Sequence, residues 1–360
     1  MKLPPPVHAN TTAAAILRHH ETRVDRRRLH LGVSEIGGPC DRALWYSFRW
    51  ASTRAFPGRV LRLFETGNLA EARFVKELRA IGCEIHAVDS ETGRQHSFSA
   101  VGGHFGGSCD AVGRGMPEGP KTWAILEFKT HNAKSFGELV KNGVKESKPE
   151  HWVQMQCYMG FAELDRALYL AVNKDNDDIH SEWIHYEAPA FEDAKARAAR
   201  IIKADEPPTR ISEDPAWFQC RFCPHAGVCH GEAVPPATCR SCAHSTPVKG
   251  GWRCGVTGDM LDMKAQEEGC ASHLYIPPLI PYADAVDAKD AFVIYRTKDG
   301  VEFANSMNGE NDGLNVPAYS SAELAARPPA VLFAANVIAA KLAFPGCTID
   351  ATHRREQSPE

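Results

Sequence analysis

The clearest amphipathic pattern in the chain lies between residues 60 and 81, where apolar residues recur at steps of three and four. The recurring residues are Val60, Leu61, Phe64, Leu69, Phe74, Val75 and Leu78. This periodicity predicts a helix that ends near Gly82. Further helices are predicted at about 11–30, where the sequence is polar, at 149–164, at 189–204 and at 330–343, where it is rich in alanine. Ser34 is predicted to cap a short helix that carries Cys40.

Shorter apolar runs between Gly-rich turns predict strands. They lie at 84–89, 95–101, 107–113, 122–130, 167–172 and 179–186. The strand from Trp123 to Lys129 is predicted to be buried, with a polar end at Glu127 and Lys129. A hairpin is predicted from 292–296 and 301–304, with Asp299 and Gly300 near its turn. This order of helices and strands predicts an α/β fold in which helices flank a mixed central sheet.

Composition narrows the class of protein. A chain of 360 residues can build one to three domains, and it contains 12 cysteines. No apolar run approaches the roughly 18 residues that span a membrane, and the start lacks the apolar region of a signal peptide. We therefore expect a cytoplasmic protein with no membrane partner. In a reducing compartment, so many cysteines favour metal or cluster binding over disulfides.

Charge is distributed unevenly. The net charge of −4 argues against a uniformly basic nucleic-acid-binding protein, yet residues 1–62 hold eleven Lys and Arg against four Asp and Glu. The candidate DNA-contacting residues in this region are Arg23, Arg26, Arg27, Arg28 and Arg42. A solvated helix face explains the same arginines equally well.

Two acidic residues and a lysine form the candidate catalytic set. Asp110 and Glu127 can supply carboxylate oxygens to Mg²⁺ or Mn²⁺ from neighbouring strands, and the Phe128 carbonyl can add another ligand. Lys129 shares a strand face with Glu127, because side chains alternate with period two. Its ammonium could orient the attacking water or stabilise developing charge.

Three further residues could complete the site. Glu71, on the preceding helix, could point into it, although an exposed helical charge is the alternative; Glu65 is a weaker substitute. Gln154 and Tyr158 are four residues apart and share one helix face. Each of these signals is weak singly.

Two sets of cysteines have metal-ligand spacing. Cys40 with Cys220-x2-Cys223-x5-Cys229 can hold an iron–sulfur cluster through thiolates, or zinc with His225 or His230 as a ligand. The second set, Cys239, Cys242, Cys254 and Cys270, suits structural zinc, with His244 and His273 as rival ligands. The two CxxC pairs could also compete for one cluster. The remaining cysteines, Cys83, Cys109, Cys157 and Cys347, are interpreted as isolated small apolar residues.

In their order and spacing, Asp110, Glu127-Phe-Lys129 and Gln154-x3-Tyr158 resemble the PD-(D/E)XK nuclease superfamily in its RecB-like branch. The first cysteine set resembles the iron–sulfur members of that branch, which include CRISPR-adaptation nucleases, AddB-type recombination nucleases and phage exonucleases. The resemblance covers about residues 34–231. It implies an αβββαβ-like core, a divalent-metal site and a [4Fe–4S] cluster. Many relatives carry a metal-binding His on the first helix, where this chain has Asn68 and Glu71.

The resemblance and the composition breaks predict four segments. They are a basic helical segment (1–33), a PD-(D/E)XK nuclease domain with an iron–sulfur staple (34–231), a cysteine-rich zinc-binding-like module (232–275) and a small α+β extension (276–360).

The expected activity is that of a metal-dependent DNA nuclease, an exonuclease of recombination, repair or phage DNA processing. It would act on single-stranded DNA or free ends, with a helicase or recombinase partner. The alternatives are a CRISPR-adaptation-type spacer-processing nuclease and a DNA-binding scaffold subunit that does not cleave.

Overall fold

A computed structural model describes residues 11–22, 27–52, 56–311 and 313–349. The chain divides into two compact units. The first comprises 1–38 and 54–200, and the second comprises 39–53 and 201–360. Within the described ranges, no helix combines the length and the apolar character needed to cross a membrane.

The helices are α1 Thr12–Glu21, α2 Asp41–Phe48, α3 Gly58–Ala80, α4 Ala133–Ser147, α5 Pro149–Ala162, α6 Ala188–Lys203, α7 Phe218–Arg221, α8 Ala226–Cys229, α9 Met263–Glu268, α10 Ser321–Ala326, α11 Pro329–Leu332 and α12 Ala335–Ala343. The strands are β1 Leu31–Gly32, β2 Glu84–His86, β3 Ser97–Ala100, β4 Phe105–Ser108, β5 Ala111–Arg114, β6 Ala124–His131, β7 Arg166–Asn173, β8 Ile179–His185, β9 Ser245–Val248, β10 Gly251–Cys254, β11 Met260–Leu261, β12 Ala283–Lys289, β13 Phe292–Thr297, β14 Glu302–Ser306 and β15 Ala318–Tyr319.

A five-stranded sheet of order β2-β5-β6-β7-β8 forms the centre of the first unit. Strands β6 and β7 are parallel, whereas the other neighbours pair antiparallel. The predicted mixed sheet is therefore confirmed. A second sheet of three strands has the order β1-β4-β3.

Helix α3 packs against one face of the five-stranded sheet. Phe74 on α3 stacks on Phe128 of β6 with ring centroids 5.4 Å apart, and Leu126 belongs to the same buried cluster. Because side chains alternate along β6, Glu127 and Lys129 point to the opposite face. The hydrophobic alternation of this strand thus determines the face on which the candidate catalytic groups lie.

Three helix predictions need correction. The first helix ends at Glu21, while residues 23–26 lie outside the described ranges. Ser34 caps no helix: Cys40 is the N-cap of α2, and its Sγ accepts the Ala43 N–H at 3.4 Å. The predicted helix at 330–343 is divided into α11 and α12.

Helix α4 was not predicted. Asn132 caps it, since its side chain accepts the Ser135 N–H at 2.9 Å. Gly143 interrupts the helix with φ of +72°, and the following Val144 N–H donates to the Glu182 carboxylate instead. A glycine in the left-handed region and a polar sequence concealed this element from periodicity.

The second unit contains two further sheets. One has the order β11-β10-β9, and the other has the order β12-β13-β14-β15. Strands β13 and β14 form the predicted antiparallel hairpin, with Gly300 at φ of +84°. This unit also contains every residue of the two predicted cysteine sets. The predicted domain boundaries stay a prediction.

Candidate active site

Asp110, Glu127 and Lys129 come together at the meeting of β5 and β6. Ala111 pairs with Leu126, which brings the preceding Asp110 beside Glu127 and Phe128. Asp110 Oδ2 accepts the Phe128 N–H at 2.8 Å. Glu127 is fully buried, and the Lys129 ammonium donates to its Oε1. The sequence placed these three groups correctly on neighbouring strands.

The electrostatics of this cluster are those of crowded, poorly solvated charges. Burial raises the pKa of the Glu127 carboxyl to about 7; Lys129 opposes that rise and Asp110 adds to it. Burial also raises the pKa of Asp110, against Lys129 and the Phe128 N–H. For Lys129, burial would lower the pKa, but the Glu127 and Asp110 carboxylates hold it above its ordinary value. Lys129 is therefore a cation beside two carboxylates, Glu127 and Asp110.

Glu71 reaches the same cluster from α3. Its pKa is raised to about 6 by burial and by the charge of Asp110, while Lys129 lowers it. Its charge in turn raises the pKa of Glu127. Three carboxylates therefore repel one another around a single lysine.

One carboxylate oxygen in this cluster lacks a partner among the described residues. Glu127 Oε2 is buried and makes no hydrogen bond to any of them. A buried oxygen of this kind costs free energy unless a donor or a cation meets it. The donor set of Glu71, Asp110 and Glu127 suits a hard divalent ion such as Mg²⁺ or Mn²⁺. Even so, across the described ranges no group of three or more His, Cys, Asp or Glu side chains is arranged to hold a metal ion.

Helix α5 presents Gln154 and Tyr158 on one buried face. The Tyr158 hydroxyl donates to the Ser108 carbonyl at 2.7 Å and is hydrogen-bonded to the Gln154 side chain. Ser108 lies two residues before Asp110, so this pair is tied to the strand end that carries the carboxylate. Gln156 and Cys157 of the same helix are fully buried as well.

A cavity of about 340 Å³ opens beside this pair. Its polar lining includes Arg28, His30, Ser34, Ser108, Gln154 and Tyr158. Arg28 Nη1 donates to Ser34 Oγ at 3.2 Å and lies 3.5 Å from a Glu35 oxygen, with 48% of its side chain exposed. Gly32 makes room for the guanidinium, because a Cβ there would lie 1.9 Å from Arg28 Nη1.

The other candidate arginines are placed differently. Arg23 and Arg26 lie outside the described residues, and Arg27 is half-buried. Arg42, in the second unit, donates to the Tyr46 hydroxyl at 2.8 Å and to the Pro208 carbonyl at 2.9 Å. These contacts give Arg42 a role within its own unit, and DNA binding by it stays a prediction.

The first cysteine set is brought together within the second unit. Burial raises the pKa of Cys220, and the charges of Cys229 and Cys40 raise it further. Burial likewise raises the pKa of Cys223, with contributions from the other three cysteines. The four thiols are therefore electrostatic neighbours, although they do not form a ready metal-binding arrangement.

The structure disfavours His225 as an alternative ligand. Its Nε2 lies 3.1 Å from Ser47 Oγ, and its Nδ1 lies 2.7 Å from Ser52 Oγ. Both ring nitrogens thus have hydroxyl partners, which leaves neither for a zinc ion.

The second cysteine set is also gathered. The pKa of Cys239 is raised to about 12 by burial and then by Cys242, Cys270 and Cys254. The rival ligand His273 is buried, and its Nε2 lies 3.0 Å from the Thr238 carbonyl and 3.1 Å from Ser241 Oγ. These contacts occupy Nε2 of His273, and the thiols stay the predicted ligands. Of the isolated cysteines, Cys83, Cys109 and Cys157 are buried as expected, while Cys347 is half-buried.

Sequence reasoning missed three aromatic residues near the catalytic set, namely the buried His131 and Tyr169 and the half-buried His151. The strand alternation Glu127, Lys129, His131 was a signal for the first, and the spacing of His151 one helical turn before Gln154 was a signal for the third. Only the pairing of β6 with β7 could place Tyr169, which lies opposite Glu127.

Comparisons with known proteins give structural likeness only. No protein-family model matches the chain, and no curated protein matches it. A structure of the alkaline exonuclease LHK-Exo from Laribacter hongkongensis is similar over 49% of this chain and 87% of that one, at 16% identity and a TM-score of 0.35. The structure of LHK-Exo in complex with dAMP is similar over 52% of this chain and 90% of that one, at 15% identity and a TM-score of 0.36. The structure of the protein SSO0001 is similar over 60% of this chain and 92% of that one, also at 15% identity and a TM-score of 0.36. At these values the likeness assigns no function to this chain.

Proposed function

We propose that the protein is a metal-dependent DNA nuclease that hydrolyses phosphodiester bonds at the cluster of Asp110, Glu127 and Lys129. The observation that carries the proposal is the buried, unpartnered Oε2 of Glu127 within a group of three mutually repelling carboxylates. Such a group destabilises the fold unless a cation neutralises it. A divalent cation held in this way can catalyse phosphodiester hydrolysis, because it activates water and neutralises phosphate charge.

Asp110, Glu127 and the Phe128 carbonyl would hold the ion, with Glu71 alongside. The bound ion would lower the pKa of a water molecule and neutralise phosphate charge. Lys129 favours the ionised form of Glu127 and offers an ammonium to the attacking water or to a phosphate oxygen. Gln154, fixed by Tyr158, can donate its amide to the same oxygens. In the reaction, water adds to phosphorus, the bond to the leaving sugar oxygen breaks, and that oxygen takes up a proton.

The cavity beside Gln154 supports action at DNA ends. Arg28, Ser34 and Ser108 offer donors and a positive charge to a terminal phosphate. Tyr158 lines this cavity, and burial and then the charges of Glu127 and Asp110 raise its pKa, so a phosphate held there would lie near the catalytic cluster. We therefore favour an exonuclease.

The cysteine sets would be structural in this proposal. Cys40, Cys220, Cys223 and Cys229 would hold a [4Fe–4S] cluster, and the second set would hold zinc. Their support is the chemistry of the donors. In each set burial raises the pKa of one cysteine and the other three add to that rise, as expected of neighbouring thiols that a thiolate-binding cation could draw together. Metal analysis of the anaerobically purified protein tests both.

Lys129→Ala tests the nuclease directly. We expect it to abolish Mg²⁺- or Mn²⁺-dependent cleavage of end-labelled single- and double-stranded DNA, because the charge beside Glu127 is lost. Lys121→Ala is the matched control, since Lys121 is exposed and precedes the same strand. Undiminished cleavage by Lys129→Ala would refute the proposed nuclease site. Tight DNA binding by the wild type without cleavage under any divalent ion would favour the scaffold alternative.

A further inference from the structure

A hydrogen-bonded row of side chains lies behind the catalytic cluster. His131 Nε2 lies 2.9 Å from the Tyr169 hydroxyl, and His151 Nδ1 lies 2.8 Å from the same hydroxyl. Ser135 Oγ extends the row, 3.1 Å from His131 Nδ1. Tyr169 is fully buried and His131 nearly so. We name His131, Tyr169 and His151 the tyrosine bridge.

Each member of the tyrosine bridge belongs to an element of the catalytic site. His131 follows Lys129 by two residues on β6 and therefore shares its face. Tyr169 on β7 pairs with Glu127 across the parallel ladder. His151 lies one turn before Gln154 on α5. The bridge thus joins the strand that carries the charges to the helix that carries the amide.

The hydrogen bonds of the bridge allow two proton arrangements, one for each imidazole to which the tyrosine hydroxyl can donate. A tyrosine hydroxyl donates one hydrogen, so it gives to one imidazole and accepts from the other. This works with both imidazoles neutral. Burial lowers the pKa of His131 to about 4, with Lys148 and Lys129 adding to it, and burial with Lys129 lowers that of His151 to about 3. Both rings are therefore neutral at pH 7.

The ring packing makes the bridge rigid. The rings of His131 and His151 stack on Tyr169 at interplanar angles of 30° and 27°. Opposite Lys129, strand β7 carries Ala171, which is too short to hold the lysine in place. Glu127 holds the Lys129 ammonium, whereas the contacts that tie β6 to α5 come from the neighbouring His131 and Tyr169.

We propose that Tyr169 is a positioning residue, which sets the separation between Lys129 on β6 and Gln154 on α5 by bridging His131 and His151. The inference rests on the proposed nuclease function. Small displacements of reacting groups cost large factors in rate. Loss of the bridge should therefore lower kcat, while KM for DNA, set by the untouched cavity residues, stays the same.

Tyr169→Phe removes only the bridging oxygen. We expect kcat to fall about tenfold or more and KM to stay within about twofold of the wild type. His151→Asn should retain most activity, because its amide can occupy the place of Nδ1, whereas His151→Leu should match Tyr169→Phe. Tyr295→Phe is the control: Tyr295 is fully buried in the second unit, and within the described part of the chain its hydroxyl has no hydrogen-bond partner.

The outcomes separate this inference from the nuclease proposal. If the wild type cleaves DNA, an unchanged kcat in Tyr169→Phe, or a change confined to KM, overturns the inference and leaves the nuclease standing. Equal losses in His151→Asn and His151→Leu would also overturn it. If the wild type does not cleave, the nuclease proposal fails, and hydrogen exchange of residues 149–162 decides whether the bridge holds α5. Exchange there should be faster in Tyr169→Phe than in the wild type, and equal rates would refute the bridge.

Discussion

Replacing Glu127 by glutamine should stabilise the metal-free protein at alkaline pH while destroying its proposed activity. The carboxyl of Glu127 has its pKa raised from an ordinary 4.5 to about 7 by burial. At pH 8 the unfolded chain therefore gains more from ionising this group than the folded chain does. Glutamine has nearly the same shape and carries no charge to bury.

The magnitude follows from linkage. One pH unit corresponds to about 1.4 kcal/mol, so holding ionised Glu127 in the fold costs on the order of 3 kcal/mol at pH 8. That cost already includes the attraction to Lys129. Because a raised carboxyl pKa penalises the fold only above the unfolded value, the cost falls to less than about 1 kcal/mol at pH 5. We therefore expect a gain of about 1–3 kcal/mol at pH 8 and little at pH 5.

Hydrogen exchange measures this locally. The amides of β6 and β7 lie in the centre of the sheet and exchange when that sheet unfolds, so their protection in EDTA at the two pH values reports the free energy of unfolding. Glu146→Gln, an exposed carboxyl on α4, is the control and should change stability by less than about 0.5 kcal/mol. Equal or lower protection in Glu127→Gln at pH 8 would refute the electrostatic reasoning. So would a gain that is the same at both pH values.

Two other predictions concern the cavity and the first cysteine set. Arg28→Ala should weaken the preference for DNA with phosphorylated over hydroxyl ends, measured as the ratio of kcat/KM values. Lys195→Ala, which removes a partly exposed cation paired with Glu192, should preserve that preference. An unchanged ratio in Arg28→Ala would exclude the cavity as a phosphate site. Cys40→Ala should lose the iron of the anaerobically purified protein, and Cys347→Ala should keep it. Iron-free wild-type protein that cuts normally would contradict the cluster and spare the nuclease.

Local sequence pattern was enough to predict the elements that carry the catalytic set. The buried strand ending at Glu127 and Lys129, the helix bearing Glu71 and the helix bearing Gln154 and Tyr158 all follow from alternation or periodicity. The two-residue alternation of a strand also predicted that Lys129 lies on the same face of the strand as Glu127. These features depend on residues within a few positions of one another.

Features that depend on distant segments were missed. Ser34 was interpreted as a helix cap, but the structure uses it as a partner of Arg28 beside a cavity whose other wall comes from α5. Tyr169 looked like any residue of a buried apolar strand until its pairing with Glu127 was known. Nothing in the spacing of β6 and β7 along the chain specifies their register, which tertiary packing decides.

The neutral tyrosine bridge and the charged cluster depend on each other. If either imidazole beside Lys129 were protonated, a second cation would face the lysine and would draw on the same carboxylates that hold it. Carboxylates in place of the imidazoles would instead compete with Glu127 for the lysine. Neutral rings joined through one hydroxyl brace β6 against α5 without altering the charge of the cluster. The raised pKa values of Glu127 and Glu71 are then set by burial and by charges within the cluster. A site built this way leaves its surplus negative charge for a metal ion to neutralise.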